Sequence, residues 1–583
     1  MPVLPSLTAW LTDPHPGRGV RLADDSGGWT YIPYPELAAA ARRAAAGMRS
    51  AGVRPGDVVC LLMPTGLPCL AALFGVWALG ATISPLPPPS FQTDDAYVEH
   101  ITAVLEQAAP ALVVASEEFG DLAARAMTRA GLAGRPWTPR EITAGAVPEG
   151  AILEGVVPEE PGPPRPGPEA DRPVAPPPES IALLQFTSGS TGRPRGVRVS
   201  WQNLTANRAL QSRLIGWKDG DGFASWLPLH HDMGLIGCCL FPVASQSDLW
   251  LMRPDQFIRD PARWLACFAP GRAAHSAAPS FAFAYAARRV RPHRLDELDL
   301  SGWRSVCVGA EAVDPAALSA FARFAAPAGF SADAYVPSYG LAENTLAVTG
   351  AAAPLLVVRP DWAALRIGRP VTVEDTARLD DAAVEPGSGW LVGHGFPQDG
   401  DGVAVRILDE DGDPVPAGHL GEIAVSGASV APGYHAGREG GPDSTRFVDG
   451  ELHTADAGFL HDGQLFVLGR MGDSLKLRGR SVYVDDLDAK VAAAAGLDRD
   501  RAAVVALNDR GRAGVAVFVE AAPGPWTEKV TEMLRAELGP EPALTLVAGR
   551  RGLLKRTTSG KLRRRHMWQL LQEGGLEAVT TRL

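Results

Sequence analysis

The chain reads as an α/β protein with mixed sheets, built as a large N-terminal part and a small α/β C-terminal part. Three observations predict this. The length, 583 residues, exceeds what one hydrophobic core covers. From about residue 181, strand and helix patterns alternate, as in parallel sheets covered by helices. From about Gly472 the pattern shifts to short apolar strands, Ala502 to Leu507 and Gly514 to Glu520, with a charged helix from Trp526 to Leu538. We therefore expect an N-terminal domain over residues 1–471, a C-terminal domain over 472–583, and a ligand site in the cleft between them.

Pro35 to Ser50 is an amphipathic helix pattern, with Leu37, Ala41, Ala44, Ala45 and Met48 on one side. Val58 to Ser90 carries no charged residue, a run long enough to raise a membrane span. Pro64, Gly66, Pro68, Gly75, Gly80 and Pro85 interrupt it, however. They divide it into a buried strand (Val58 to Met63), a helix (Leu70 to Leu79) and a strand (Ala81 to Pro85), so no span is expected. Val98 to Gln107 and Gly120 to Ala130 read as helices around a strand, Ala111 to Ala115. Residues 148–178 are rich in Pro, Glu and Gly and read as a surface loop or linker.

The apolar share of 46% and charged share of 21% are those of a globular protein. A formal net charge of −11 argues against nucleic acid as the partner. Six scattered cysteines lack metal-ligand spacing, and Met1 to Trp10 lacks the charged and apolar regions of a secretion signal. The expectation is a reducing cytoplasm, with Cys238 and Cys239 as buried thiols. Lysines number only six against 49 arginines, so each lysine is worth inspecting.

The chemistry concentrates in a few segments. Phe186-Thr187-Ser188-Gly189-Ser190-Thr191-Gly192-Arg193-Pro194-Arg195-Gly196-Val197 links two apolar runs. Its glycines allow close backbone approach, and its four hydroxyls and two arginines suit a polyphosphate. It is not a Walker A loop, since no lysine follows the last glycine at that spacing; a flexible Ser/Gly turn is the competing reading. Downstream, Leu229-His230-His231-Asp232-Met233-Gly234-Leu235 could bind a metal, but no third ligand lies at helical spacing, and adjacent residues on a strand face opposite ways. Gly309-Ala310-Glu311 and Tyr339-Gly340-Leu341-Ala342-Glu343 each follow strand-like runs. On its own, the latter could open a helix, with Glu343 on its dipole. Thr454-Ala455-Asp456, Gly469-Arg470-Met471-Gly472-Asp473 and Thr557-Thr558-Ser559-Gly560-Lys561 complete the series. The last sits in Arg550 to Arg565, which carries eight positive charges and no acid and could be merely a solvated basic run.

Taken in order, these segments resemble the motifs of the adenylate-forming (acyl-activating) superfamily, and His231 to Leu235 resembles the "HDMGL" of its fatty acyl-AMP ligase branch. The resemblance covers most of the chain, residues 1–180 more loosely. It implies that carboxylic acid, ATP and Mg²⁺ give acyl-AMP and pyrophosphate, and that the acyl group then passes to a thiol. It places the ATP phosphates on Thr187, Ser188, Gly189, Ser190, Thr191, Gly192 and Arg195, and the metal on Glu343 and Thr191. It places adenine between Gly309, Ala310, Glu311 and the Tyr339–Gly340 segment, and ribose on Asp456 and Arg470. His231 falls beside the acyl and phosphate groups; Lys561, with Glu343, His231 and Arg470, is implied as catalytic. Residues Ala351 to Gly389 resemble the insertion that in this branch disfavours CoA, making an acyl carrier protein the implied acceptor. CoA, a non-thiol acceptor, or nucleotide binding without turnover remain alternatives. The sequence departs from the family pattern at Arg195 (usually Lys), Asn344 (Ala), Ala455 (Gly) and Gly472 (Lys), so pocket polarity and hinge behaviour follow less directly.

Overall fold

The computed structural model describes residues 6–582 except 90–93, 145–172, 189–193, 312, 352, 362–363, 381–389, 398–401, 438–443, 471–473, 478–479, 498–500, 510–511, 556–561, 563 and 577. The chain is α/β with mixed sheets. The uncharged stretch folds as strand Val58–Leu62, helix Leu67–Ala78 and strand Thr82–Pro85, the two strands parallel. Helix Tyr34–Ser50 lies along helix Leu67–Ala78 at a contact that needs glycine. A Cβ on Gly75 would stand 2.9 Å from Ala44 Cβ and 3.0 Å from the Ala41 carbonyl. Trp77 Nε1 donates to the Ala182 carbonyl at 2.9 Å, pinning the second helix to the strand that leads into the Ser/Gly loop. Among the described residues, no helix is long and apolar enough to cross a membrane.

Two large sheets organise the N-terminal part. The first has the order Leu112–Ala115, Val58–Leu62, Thr82–Pro85, Ile181–Ser188, Pro194–Ser200. It is parallel except for the last pair, an antiparallel hairpin with Thr187 opposite Arg195. The second has eight strands, parallel through its centre: Tyr335–Gly340, Ser305–Val308, Ala273–Ala278, Gly222–Ser225 and Leu249–Leu251 follow one another across it. Continuous burial of Ala273–Ala278 and Gly222–Ser225 is the pattern of strands covered on both faces. One hydrophobic cluster joins both sheets, with stacked aromatic pairs such as Phe268 and Trp303, whose centroids are 3.8 Å apart. The described parts of 351–389 contain strands Leu356–Pro360 and Val373–Arg378, an antiparallel pair.

A five-stranded antiparallel sheet follows, including Gly421–Gly427, Glu451–His461 and Gln464–Arg470. Beyond it, strands Ala502–Asp509, Arg512–Val519, Ala543–Gly549 and Ala578–Arg582 form a separate sheet. Helices Val484–Ala495 and Trp526–Leu538 cover one face, and helix Arg564–Glu573 packs Met567 on the other. The apolar clusters of this sheet draw only on residues 487–578. The basic run is not simply a solvated face. Arg564 is buried, with Nη2 2.6 Å from Asp488 Oδ2, and the Gly552 and Leu554 amides donate to Glu520 Oε1 at 2.7 and 3.2 Å.

Candidate active site

A cavity of about 210 Å³ opens where the two large sheets meet. Thr187 and Arg195 line it from the hairpin, His231 from the turn after strand Gly222–Ser225, and Gly309 and Ala310 from the end of strand Ser305–Val308. Tyr339, Gly340 and Glu343 close it from the end of strand Tyr335–Gly340. Residues up to 156 positions apart (187 to 343) thus converge on one space at the carboxyl ends of parallel strands, where open α/β sheets place ligands. The remaining wall is largely apolar, with Leu214, Ile215, Phe223 and Phe241.

Glu343 does not open a helix. Ala342–Asn344 makes one short turn, and Thr345 then takes φ 67° and ψ −58°. The Leu346 amide donates to the Asn344 carbonyl at 2.7 Å, so Asn344 to Leu346 is the strained form of γ-turn, a costly conformation for a β-branched residue. The loop around Ser429–Tyr434 holds this segment in place. Thr345 Oγ1 donates to the Ser429 carbonyl at 2.6 Å, and the Ala431 amide donates to the Glu343 carbonyl at 2.9 Å. Tyr434 Oη donates to Glu343 Oε1 at 2.6 Å. Glu343 is 2% exposed, and among the described residues no Lys, Arg or His lies within ion-pair distance of it. A buried carboxylate without a cationic partner is expensive unless the site supplies a cation, so the donor set fits a hard divalent ion. Asn344 Nδ2 donates to the Ala347 carbonyl at 2.7 Å, and the residue does not line the cavity.

Tyr434 is the residue that sequence reasoning missed. The Arg195 guanidinium lies 4.4 Å from its ring centroid and donates to the Thr445 carbonyl at 3.0 Å. One tyrosine therefore supports the hairpin cation by its face and the buried carboxylate by its hydroxyl. Thr187 Oγ1 donates to the Arg195 carbonyl at 3.4 Å across the hairpin. Ser188 is described only as the end of its strand, and Gly189, Ser190, Thr191 and Gly192 lie outside the described residues, as do Lys561, Gly472 and Asp473.

The two histidines do not sit on a strand with opposed faces. Strand Gly222–Ser225 ends before Pro228, and both lie in a turn with ring centroids 4.6 Å apart. Enclosure pushes the His230 pKa well below its ordinary value, with repulsion from His231 adding to it. Gln185 Nε2 donates to the His230 carbonyl at 2.9 Å and ties the turn to the hairpin. Among the described residues no group of three or more His, Cys, Asp or Glu could hold a metal ion. A π-helix, Met233–Leu240, follows and lines the cavity with Met233 and Gly237. Cys238 and Cys239 are buried and free, and burial pushes the Cys238 thiol up to about 12.

Two expected adenosine contacts sit apart from the cavity wall. Glu311 Oε1 accepts from the Phe281 amide at 3.1 Å, in the first turn of helix Ser280–Arg289. Asp456 Oδ2 accepts from Tyr339 Oη at 2.6 Å, which links it to the cavity through that ring. Asp456 is turned inward by a bulge in which residues 454–456 stand opposite Ile423. Arg470 is paired with Asp456 in the sheet register.

Residues 14–435 match the AMP-binding enzyme family. The chain belongs to that family. It is 32% identical over 461 residues to a Mycobacterium tuberculosis protein bearing the name fatty-acid–CoA ligase FadD21, covering 75% of this chain and 72% of the other. It is also 32% identical over 454 residues to the 4-hydroxyphenylalkanoate adenylyltransferase of Mycobacterium marinum, covering 75% and 68%. A solved structure of the fatty acyl-adenylate ligase from L. pneumophila, in complex with acyl adenylate and pyrophosphate, superimposes with a TM-score of 0.67 at 25% identity, over 99% of this chain and 98% of that one. This AMP-binding enzyme is thus an acyl-activating ligase on the fatty acyl-AMP ligase-like branch of the adenylate-forming enzymes.

Ala455, which replaces glycine in the motif that this segment resembles, has φ 58° and is buried. Left-handed backbone costs a non-glycine residue about 1–2 kcal/mol. Losing one buried methyl costs about 0.8 kcal/mol. The strain term wins narrowly, so Ala455→Gly is expected to leave stability equal or up to about 1 kcal/mol higher in denaturant titration. A loss above about 1 kcal/mol would show that the methyl packing dominates.

Proposed function

We propose that the enzyme activates a fatty or related carboxylic acid with ATP and Mg²⁺ and passes the acyl group to the phosphopantetheine thiol of an acyl carrier protein. The observation that carries this reading is that Thr187, Arg195, His231 and Glu343 line one cavity together with an apolar wall. The acid's tail packs on Leu214, Ile215, Phe223 and Phe241, while its carboxylate points at the polar end. Residues 187–192 and Arg195 bind the triphosphate; the adenosine lies along Gly309, Ala310 and Tyr339, with Asp456 and Arg470 at the ribose. One carboxylate oxygen attacks the α-phosphorus, the α–β bridging oxygen leaves with pyrophosphate, and a mixed anhydride results. Arg195, His231 and Lys561 face the charge that develops on the phosphate and carboxylate oxygens. Glu343 and Thr191 would hold Mg²⁺, which when bound offsets charge on the phosphate oxygens. Residues 1–471 act as the ATP- and acyl-binding domain, and 472–583 as a mobile domain that presents Lys561. That the C-terminal sheet keeps its own apolar clusters supports this division.

The thiol acceptor separates two readings. The segment 351–389 favours the carrier protein, whereas the name borne by the M. tuberculosis relative favours CoA. The enzyme is to be given ATP–Mg²⁺ and a series of straight-chain acids, then CoA or a holo carrier protein. Pyrophosphate release with at least one acid, and thioester on the carrier at least about ten times that on CoA, is the expected result. Efficient acyl-CoA formation would reassign the acceptor, and absence of pyrophosphate across acids of every chain length would refute the acid class.

A further inference from the structure

We propose that the acid carries a hydroxyl on its chain and that Gln211 Oε1 accepts its hydrogen bond; this rests on the acyl-activation reading above. Gln211 lies in helix Trp201–Leu214 and reaches the cavity among Leu214, Ile215 and Leu346. The direction of its amide is fixed from behind. The Ala347 amide donates to Asn207 Oδ1 at 3.1 Å, and Asn207 Nδ2 donates to the Asn344 and Ala347 carbonyls at 3.2 and 2.9 Å. Backbone groups therefore decide which end of the Asn207 amide is oxygen. Gln211 Nε2 donates to that oxygen at 2.9 Å, which leaves Oε1 as the outward end. Among the described residues no donor meets Gln211 Oε1.

The opposite wall keeps this oxygen uncovered. A Cβ on Gly237, in the π-helix, would stand 3.5 Å from Gln211 Oε1 and 3.0 Å from Leu346 Cδ2. A glycine there leaves the space beside the carbonyl to the ligand. A saturated chain filling that space would strip the carbonyl of solvent and return no hydrogen bond, whereas a hydroxyl would pair with it. A site built to bond a hydroxyl discriminates strongly against the analogue that lacks it.

The experiment measures pyrophosphate release from an acid and from its positional series of monohydroxy isomers, all of one chain length. At least one isomer is expected to exceed the unsubstituted acid in kcat/KM by about 10-fold or more. Gln211→Leu should bring that ratio to about one or below, raising use of the unsubstituted acid. Asn207 Oδ1 keeps the Ala347 amide as donor in this variant, so the support behind the helix survives. Gly237→Ala, which leaves Gln211 in place and covers Oε1, should also reduce the hydroxyl advantage. The inference is overturned if wild type uses the unsubstituted acid as well as every isomer, or if both variants retain the wild-type ratio. Release with no acid at all would instead overturn the activation reading, and this inference with it.

Discussion

Glu343→Gln is expected to lower acid-dependent pyrophosphate release by about 10²-fold or more and to raise the Mg²⁺ concentration needed for half-maximal rate by at least about 10-fold. The substitution removes a charge and little else. Glutamine keeps an oxygen for the Tyr434 hydroxyl, which now stands 2.6 Å from Glu343 Oε1, and its volume fits the same space. The fold is not endangered, because the carboxylate holds up no cationic side chain among the described residues; removing a buried, unpaired charge relieves a desolvation cost. What disappears is a negative oxygen on the wall of the cavity that Arg195 and His231 also line. The measurement is a Mg²⁺ titration of pyrophosphate release for both proteins, with thermal unfolding as the control. A variant with unchanged rate and unchanged Mg²⁺ dependence would take Glu343 out of the metal site.

How much of this was legible in the sequence depended on how local each signal was. Helix Trp526–Leu538 falls where it was expected because Pro525 and Gly539 punctuate it. The uncharged run from Val58 resolved into strand, helix and strand because prolines and glycines forbid one continuous element. The two strands that flank the Ser/Gly loop contain its two apolar runs, whereas their antiparallel pairing is seen only in the structure. Tyr434 was not legible, since its bond to Glu343 joins residues 91 positions apart and nothing local marks it. The strand reading of the histidine pair fails because the strand ends at Ser225 and the chain turns between Pro228 and His231. The π-helix Met233–Leu240 had no readable period, being apolar on every side. The bond of the Glu311 carboxylate to the Phe281 amide joins residues 30 positions apart, and nothing local marks it. Asn344 and Ala455 read as changes in side-chain chemistry, while the structure adds a backbone feature at each place: Thr345, next to Asn344, is strained, and Ala455 is itself left-handed.

Lys561→Ala is expected to separate the two half-reactions. Formation of acyl-AMP should fall by about 10²-fold or more, as for removal of a key electrostatic stabiliser, while transfer from supplied acyl-AMP to the thiol should fall far less. Lys561 itself lies outside the described residues, but the chain on both sides of it is anchored to the C-terminal sheet. Before it, the Gly552 and Leu554 amides bond Glu520 Oε1 at 2.7 and 3.2 Å. After it, Arg564 pairs with Asp488 at 2.6 Å, and its Nε donates to the Val504 carbonyl at 3.2 Å. Helix Arg564–Glu573 then buries Met567 against the same sheet. On the domain-alternation reading proposed above, a swing of the C-terminal sheet would carry these flanking anchors, and with them the segment that holds Lys561 in the sequence, relative to the cavity. On that reading the Lys561 charge serves the carboxylate and α-phosphate oxygens in adenylation, whereas in transfer the anhydride is already formed and a different face of the domain would serve the thiol. Single-turnover assays of each step, with the same variant and substrate, decide the matter. A strong loss confined to adenylation supports domain alternation in this enzyme. Equal losses in both steps would mean that Lys561 stays at the cavity throughout, and that residues 472–583 do not exchange faces between the steps.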